Sequence, residues 1–189
     1  MIMDAKTAIT QRRTIRRFQN KLVEPGVLKE LVNLSRLYAS GGNLQPIRYA
    51  VVTNKELLDS VFDTLKWAAY LPGFEIKEEE QPMAYIVLTC DTNVKKNAQF
   101  DLGAASTTLM LAAESYGLST CCLASFDRAK VTSLLELPEN LEPLLVIALG
   151  YPAQKSRVVD MADDVKYFED ENGCLCVPKH TLEEVMTLY

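Results

Sequence analysis

The spacing of apolar residues along the chain predicts a mixture of helices and strands. Apolar positions recur at helical spacing over residues 4–13, 25–38, 54–69, 97–116 and 127–135. Short apolar runs predict strands over 49–53, 83–90, 119–125 and 144–150, and a hairpin over 167–177 around Glu171-Asn172-Gly173. Because helices and strands do not alternate strictly, this order favours an α+β fold over a doubly wound parallel sheet, with a mixed, largely antiparallel central sheet flanked by helices.

Two of these elements predict how the chain packs. Met83 to Cys90 is apolar without interruption, which indicates a strand buried on both faces and therefore a central one. Between Asn97 and Tyr116 many small residues fall on one stripe, and Gly117 is a natural helix stop. Such a stripe lets a second helix approach closely, and that helix belongs either to the same chain or to a second copy.

The composition is that of an ordinary globular protein. Of the 189 residues, 48% are hydrophobic and 24% are charged. The chain has no repeat and no Gly/Ser linker, so we expect a single domain over residues 1–189. The 5 cysteines form no C-x-x-C pair, which predicts reduced thiols and no metal site.

Charge and hydropathy restrict the partners. The formal net charge of −5 argues against nucleic acid, although residues 1–21 are locally basic. No apolar run is long enough to span a bilayer, and residues 1–10 lack the apolar core of a signal peptide. We therefore expect a cytoplasmic protein that binds neither membrane nor nucleic acid.

Several common catalytic motifs are missing from the sequence. It contains no G-x-G-x-x-G, no G-x-x-x-x-G-K-[ST] and no G-x-S-x-G. The single histidine, His180, lies in a polar tail, so a Ser-His or Cys-His mechanism would have no base. Dinucleotide folds of the Rossmann type, P-loop enzymes and triad hydrolases are thereby disfavoured.

Cationic residues near both ends of the chain suggest a phosphate site. The first group follows the first predicted helix and consists of Arg12, Arg13, Thr14 and Arg16. Guanidinium forks suit phosphate oxygens, and a hydroxyl adds a further donor. The second group, Lys155 and Arg157, follows the strand that ends at Gly150. The alternative for the arginines is a solvated basic helix end, where the helix dipole favours positive charge.

A glycine-containing loop at residues 40–46 carries polar side chains that both donate and accept hydrogen bonds. They are Ser40, Asn43 and Gln45. A planar heterocycle with alternating carbonyls and ring nitrogens, such as a flavin, needs partners of this mixed kind. The alternative is an ordinary turn.

Taken together and in this order, the segments resemble the nitroreductase family. The resemblance lies in R-R-T-I-R-R-F, S-G-G-N-L-Q-P-I-R-Y and L-G-Y-P followed by K-S-R. Between them, W-A-A-Y-L-P-G-F, E-Q-P-M-A-Y-I-V-L, D-L-G-A-A-S and Y-G-L-S-T-C-C-L-A-S-F are similar to compact members of the family. The similarity extends from Ala8 to Leu182.

The resemblance implies an intertwined homodimer with two FMN sites at the subunit interface, and a C-terminal extension over residues 155–189 that reaches the partner. The implied cofactor-binding residues are Arg12, Arg13, Thr14, Arg16, Ser40, Asn43, Gln45, Leu123, Ala124, Ser125, Lys155 and Arg157. The implied reaction is a ping-pong hydride transfer from NADH or NADPH through flavin N5 to a nitroaromatic, a quinone or a similar small acceptor. The cofactor carries this chemistry, so no catalytic side chain is implied beyond the backbone N–H of Ser125 near N5.

The chain also departs from the family pattern. Ser125 stands where many relatives have glycine, and Ala124 where several have glutamate. Ile47 replaces an aromatic residue, and Lys66 is a candidate partner for the pyrimidine edge of the flavin. Two alternatives remain open: an FMN-binding or sensing module with little turnover, and a specialised flavoenzyme of the same fold, such as a reductive dehalogenase.

Overall fold

The computed structural model describes residues 3–162 and 164–189. The helices are α1 Ala5–Gln11, α2 Pro25–Ser35, α3 Lys55–Phe62, α4 Gln99–Ser115, α5 Arg128–Leu134 and α6 Leu182–Val185. The strands are β1 Ile47–Val52, β2 Ala84–Asp91, β3 Ser119–Leu123, β4 Leu141–Gly150, β5 Ser156–Asp160, β6 Phe168–Glu169 and β7 Leu175–Lys179. Short 3₁₀ turns lie at Gly41–Asn43 and Glu78–Glu80.

The central sheet has the strand order β1-β2-β4-β3. Every pairing within it is antiparallel. A second, smaller sheet has the order β5-β7-β6, and there β5 pairs with β7 in parallel. The α+β prediction is confirmed, and the parallel pairing belongs to the smaller sheet.

Strand β2 lies between helical layers on both faces of the sheet. Ile86 and Leu88 belong to a core that includes Leu31 of α2 and Leu109 of α4. Side chains alternate across a strand, so Tyr85 and its odd-numbered neighbours face the opposite core, formed with α3 and α5. The prediction of a central, doubly buried strand is confirmed.

Three helices are capped by the residue at which the sequence pattern predicts each helix to begin. Asp4, Asn54 and Asp127 each accept a hydrogen bond from the backbone N–H three residues later, at 3.0, 3.2 and 3.0 Å. Each bond satisfies an N–H that the helix itself leaves free. These caps fix where α1, α3 and α5 start.

The third helix is shorter than its apolar periodicity predicts. The prediction runs to Ala69, but α3 ends at Phe62. Beyond it, Leu65 forms a β-bridge with Phe126, and Ala68 has a positive φ of 46°. This contact with a distant part of the chain buries Leu65. The apolar pattern therefore continues beyond Phe62 although the helix does not.

The small residues of α4 pack inside the chain. Ala105, Leu109 and Ala113 are fully buried, and the Ser35 hydroxyl of α2 donates to the Ala105 carbonyl at 2.9 Å. The intramolecular alternative therefore accounts for this stripe. The outer side of α4 carries Phe100, which is 70% exposed.

The C-terminal segment folds back on the chain that carries it. β5, β6 and β7 form the smaller sheet, and Glu169 of β6 accepts a hydrogen bond from Arg17 at 2.9 Å. The predicted hairpin is present, with Gly173 at a φ of 70° in its turn. Within residues 3–162 and 164–189, no helix combines the length and the apolar character needed to cross a bilayer.

Candidate functional site

The predicted arginines lie along the outer edge of β3. We call residues 12–18 the arginine segment. Thr14 forms a parallel bridge with Thr120, and the Ile15 N–H donates to the Thr120 carbonyl at 3.1 Å. Phe18 is completely buried and bridges Pro152. These contacts hold the arginine segment in an extended form, so its side chains have fixed positions.

Arg16 is the most unusual residue of this segment. It is only 8% exposed, and among the described residues its Nε and Nη1 atoms have no hydrogen-bond partner. Its backbone N–H donates to Gln154 Oε1 at 3.3 Å. A buried charge without a partner is costly, so these donors are suited to an anion that none of the described residues supplies.

Arg13 has a different environment. Its guanidinium donates to the Arg12 carbonyl and, at 2.6 Å, to the Thr10 carbonyl. Burial lowers the pKa of Arg13, and the neighbouring Arg12 lowers it further. Both carbonyls lie at the C-terminal end of α1, where the helix dipole favours positive charge, and a contact of Arg13 with FMN stays a prediction.

The second cationic group lies next to the arginine segment. Lys155 lines a cavity of about 560 Å³ together with Arg17 and Gln154. Because Gln154 also accepts from the Arg16 backbone, the structure brings Lys155 into the neighbourhood of Arg16. Arg157 is 60% exposed at its side chain and pairs with Asp170 at 3.2 Å, so it would have to exchange that partner for a phosphate.

The residues predicted beside the flavin ring lie at the far end of β3. Ala124 and Ser125 are exposed and line a second cavity, of about 590 Å³, which Lys66 also lines. The Lys66 backbone N–H donates to the Ser125 carbonyl at 3.0 Å. Leu123 is 5% exposed and packs in the core instead of the cavity. Next to Lys66, the buried Nε1 of Trp67 has no partner among the described residues.

Residues 40–46, which we call the amide loop, are held by a buried ion pair. The Ser40 hydroxyl donates to Asp101 at 2.5 Å and accepts from the Gln45 backbone at 2.8 Å. Lys95 pairs with the same carboxylate at 2.7 Å. Burial raises the pKa of Asp101, but the hydrogen bonds from Lys95 and Ser40 outweigh burial and hold that pKa below its usual value. Asn43 has a positive φ of 53°.

The amide loop and the arginine segment lie at diagonally opposite corners of the sheet. The arginine segment bridges β3, and the amide loop leads into β1, so the two are four strand positions, roughly 19 Å, apart. Through the register, Thr120 is level with Ala84 and Ile47 is level with Cys90. The offset of six positions between Ala84 and Cys90 corresponds to about 20 Å along β2. One chain therefore does not bring its own two groups together.

Some contacts of this site have no clear signal in the sequence. Tyr167 lies under the Arg16 guanidinium, 4.4 Å from the guanidinium carbon to the ring centroid. Gln154 joins Arg16 to Glu169, to which its amide donates at 2.9 Å. Gln154 directly precedes Lys155 and could have been included on that basis. Tyr167 could not, because it depends on how the second sheet folds back.

An antiparallel sheet lies between helical layers, and at its edge are cationic donors that none of the described residues pairs. This arrangement defines an α+β protein with a candidate anion site. The sequence profile of the nitroreductase family matches residues 9–85 and 92–151. This match covers more than half of the chain, which therefore belongs to the nitroreductase family.

Individual relatives agree with this assignment. The chain is 29% identical, over 85% of its length and 84% of the relative's, to a provisionally named NADH dehydrogenase/NAD(P)H nitroreductase of Methanothermobacter thermautotrophicus. It is 25% identical to a 4-nitrobenzoate reductase of Pseudomonas putida, over 82% and 88% of the two chains. A crystal structure from Bacteroides thetaiotaomicron, under the same provisional name as the first relative, matches with a TM-score of 0.71 and 29% identity, over 85% of this chain and 93% of that one.

Proposed function

We propose that the protein is a cytoplasmic, FMN-dependent oxidoreductase that takes hydride from NADH or NADPH and passes it to a small acceptor. The family and the names of the relatives support NAD(P)H-dependent oxidoreduction. The name of the 4-nitrobenzoate reductase supports a nitroaromatic as one acceptor, and a quinone is another of the same electron-poor kind. We further propose a ping-pong order, in which the nicotinamide leaves before the acceptor binds.

The observation that carries this proposal is the pair of donors on the buried Arg16 side chain that find no partner among residues 3–162 and 164–189. Thr14 bridges Thr120 of β3, and Lys155 follows Gln154, whose side chain accepts from the Arg16 backbone. A hydroxyl and two cationic residues thus lie in one part of the chain, which suits a phosphate. At the other end of β3, the cavity lined by Lys66 and Ser125 offers room for a ring system. The spacing along β3 thus fits an extended ligand with a phosphate at one end and a heterocycle at the other.

The residues proposed to hold FMN fall into two groups. Arg12, Thr14, Arg16, Lys155 and Arg157 would bind the phosphate and nearby polar atoms, with Arg13 supporting the end of α1. Ala124 and Ser125 would line the ring, and Leu123, whose side chain packs in the core, would face it through its backbone. Bound FMN would supply the hydride-transfer chemistry at N5, and the Ser125 backbone N–H would donate a hydrogen bond there. The Lys66 ammonium would place positive charge near the pyrimidine edge.

We also propose that the working unit is a homodimer. Ser40, Asn43 and Gln45 lie diagonally opposite the arginine segment, so they would serve the flavin of the partner subunit. The exposed Phe100 on α4 is available for such a contact. We propose that the C-terminal extension, residues 155–189, reaches the partner subunit, and its end, residues 180–189, is exposed throughout.

Cofactor binding and turnover test the proposal directly. Purified protein loaded with FMN should be yellow, retain the cofactor on gel filtration, and bleach when NADH or NADPH is added without oxygen. Adding a nitroaromatic or a quinone should restore the colour. A protein that does not bind FMN would contradict the proposal, whereas tight binding without bleaching would favour the sensing module.

One relative favours a second candidate activity. The chain is 26% identical to an iodotyrosine deiodinase of Haliscomenobacter hydrossis, over 79% of this chain and 80% of the relative. In that alternative, two electrons and a proton replace a carbon–iodine bond by carbon–hydrogen and release iodide. Iodide release from 3-iodotyrosine by the FMN-loaded protein with dithionite as reductant would support it, and the absence of iodide release would contradict it.

A further inference from the structure

Tyr167 packs directly on the buried arginine of the candidate site. The guanidinium carbon of Arg16 lies over the Tyr167 ring, 4.4 Å from its centroid. A second ring, Tyr70, packs against Tyr167 with a centroid distance of 5.1 Å and an interplanar angle of 56°. Arg16 is thus covered by an aromatic side chain from a segment distant in sequence.

The ring covers Arg16 without using its hydrogen-bond donors. A cation above an aromatic face is attracted by the ring quadrupole, and this attraction increases when water is excluded. The ring supplies no oxygen acceptor to the guanidinium, whose Nε and Nη1 donors remain without a partner among the described residues. Tyr167 therefore does not compete with an anion for these donors.

The position of Tyr167 is fixed by the arginine segment itself. Glu169, two residues later, accepts hydrogen bonds from Arg17 and from the Gln154 amide, both at 2.9 Å. The side-chain Oε1 of Gln154 in turn accepts from the Arg16 backbone N–H at 3.3 Å. This network ties β6, and with it Tyr167, to the strand-like stretch that carries Arg16.

We propose that Tyr167 is a positioning residue for the cofactor phosphate. It holds the Arg16 guanidinium in one place and excludes water from it, which strengthens the hydrogen bonds from Nε and Nη1 to phosphate oxygens. This inference rests on the proposed function, since it takes the anion to be the phosphate of FMN. The aromatic ring is what matters, and the Tyr167 hydroxyl is dispensable.

The experiment compares flavin affinities by fluorescence titration for wild type, Tyr167→Ala, Tyr167→Phe and Phe168→Ala. Phe168 is the neighbouring aromatic residue and is 48% exposed, so it is the matched control. We expect Tyr167→Ala to weaken FMN by roughly threefold to tenfold, while Tyr167→Phe and Phe168→Ala stay near wild type. Riboflavin, which has the same ring without the phosphate, should bind Tyr167→Ala and wild type equally well.

Salt provides a readout that a merely structural role would not change. Buried ion contacts are screened less than exposed ones, so FMN affinity should fall more steeply with NaCl in Tyr167→Ala than in wild type. An unchanged FMN affinity in Tyr167→Ala, or an equal loss for FMN and riboflavin, would overturn the inference. If wild type binds neither flavin, the proposed function itself is contradicted, and this inference, which rests on it, fails as well.

Discussion

Arg16 combines a permanent charge with burial, and its neighbours on the chain do not neutralise it. Its exposed fraction is 8%, and its Nε and Nη1 atoms lack partners in the part of the chain that the structure describes. The sequence places an arginine here within a basic run but cannot distinguish it from Arg13, whose donors end on backbone carbonyls of α1. The difference between the two arises from tertiary contacts with β3 and Gln154.

Replacing Arg16 should separate stability from binding. Arg16→Met keeps an apolar stem and removes the charge, so we expect FMN to bind more weakly by about 1.5–3 kcal/mol, the range for a charge-assisted hydrogen bond. Without ligand, the same variant loses a buried charge that has no partner in the described part of the chain, and it should melt about 2–4 °C higher than wild type. Titration with FMN and thermal unfolding of the apoprotein measure the two effects.

The exposed Arg36, which directly follows α2, provides the control for this substitution. Arg36→Met removes the same charge from a position outside the candidate site and should leave FMN affinity unchanged. A lower melting temperature for apo Arg16→Met would mean that the buried guanidinium stabilises the fold in a way that the described contacts do not account for.

At the level of elements, local sequence signals predicted the helix starts well. Features that depend on contacts between distant segments could not be predicted in this way. The caps Asp4, Asn54 and Asp127 mark helix starts in sequence and in structure. β4 begins at Leu141, earlier than the predicted Leu144, and includes Pro143 where the register with β2 shifts at a bulge. Proline is tolerated there because a bulge does not require its missing N–H.

The smaller sheet likewise depends on contacts that the sequence does not reveal. β5 is largely exposed and pairs in parallel with β7, so neither an apolar run nor a turn signal marks it in the sequence. The positions of Arg157 and Tyr167 depend on this sheet. Their surroundings could therefore be obtained only from the structure.

The amide loop should depend on the ion pair beneath it. Asp101 is fully buried and holds Ser40 and Lys95, so Asp101→Asn should lower the free energy of unfolding by about 1.5–3 kcal/mol. Asp59→Asn, which removes the exposed Lys55–Asp59 pair, is the control and should change stability little. Chemical denaturation of both variants at neutral pH measures this.

The pH dependence follows from the lowered pKa of Asp101. A carboxyl whose pKa is lower in the folded state stabilises the fold above the unfolded pKa and loses that contribution as pH falls through the folded value. The stability difference between wild type and Asp101→Asn should thus be constant above about pH 5 and shrink below about pH 4. A difference that grew on acidification would contradict the assignment.

For the whole molecule, the strand order determines which groups can meet. The order β1-β2-β4-β3 separates the amide loop from the arginine segment both across the sheet and along it. The sequence identified both groups but could not show this separation, because strand order is not encoded locally. The separation makes two subunits necessary if both groups bind one flavin.

Mixed dimers test that requirement. Arg16→Met damages the site at one corner, and Asn43→Gly removes a side-chain amide at the other. Glycine readily adopts the positive φ of position 43, so Asn43→Gly should not distort the backbone. Each homodimer should have low activity. After subunit exchange, half of the dimers are mixed and each has one intact site, so we expect about a quarter of wild-type activity to return. If verified exchange restores none, the two groups do not share a site across subunits.

The diagonal placement of the two groups has a consequence for protein at low concentration. A single subunit would carry one incomplete half of a binding site at each corner. Dilution alone, with no competitor or denaturant present, would then release the flavin. We expect the yellow protein to become colourless on gel filtration at nanomolar loading and to keep its colour at micromolar loading, with the change centred on the dissociation constant of the pair.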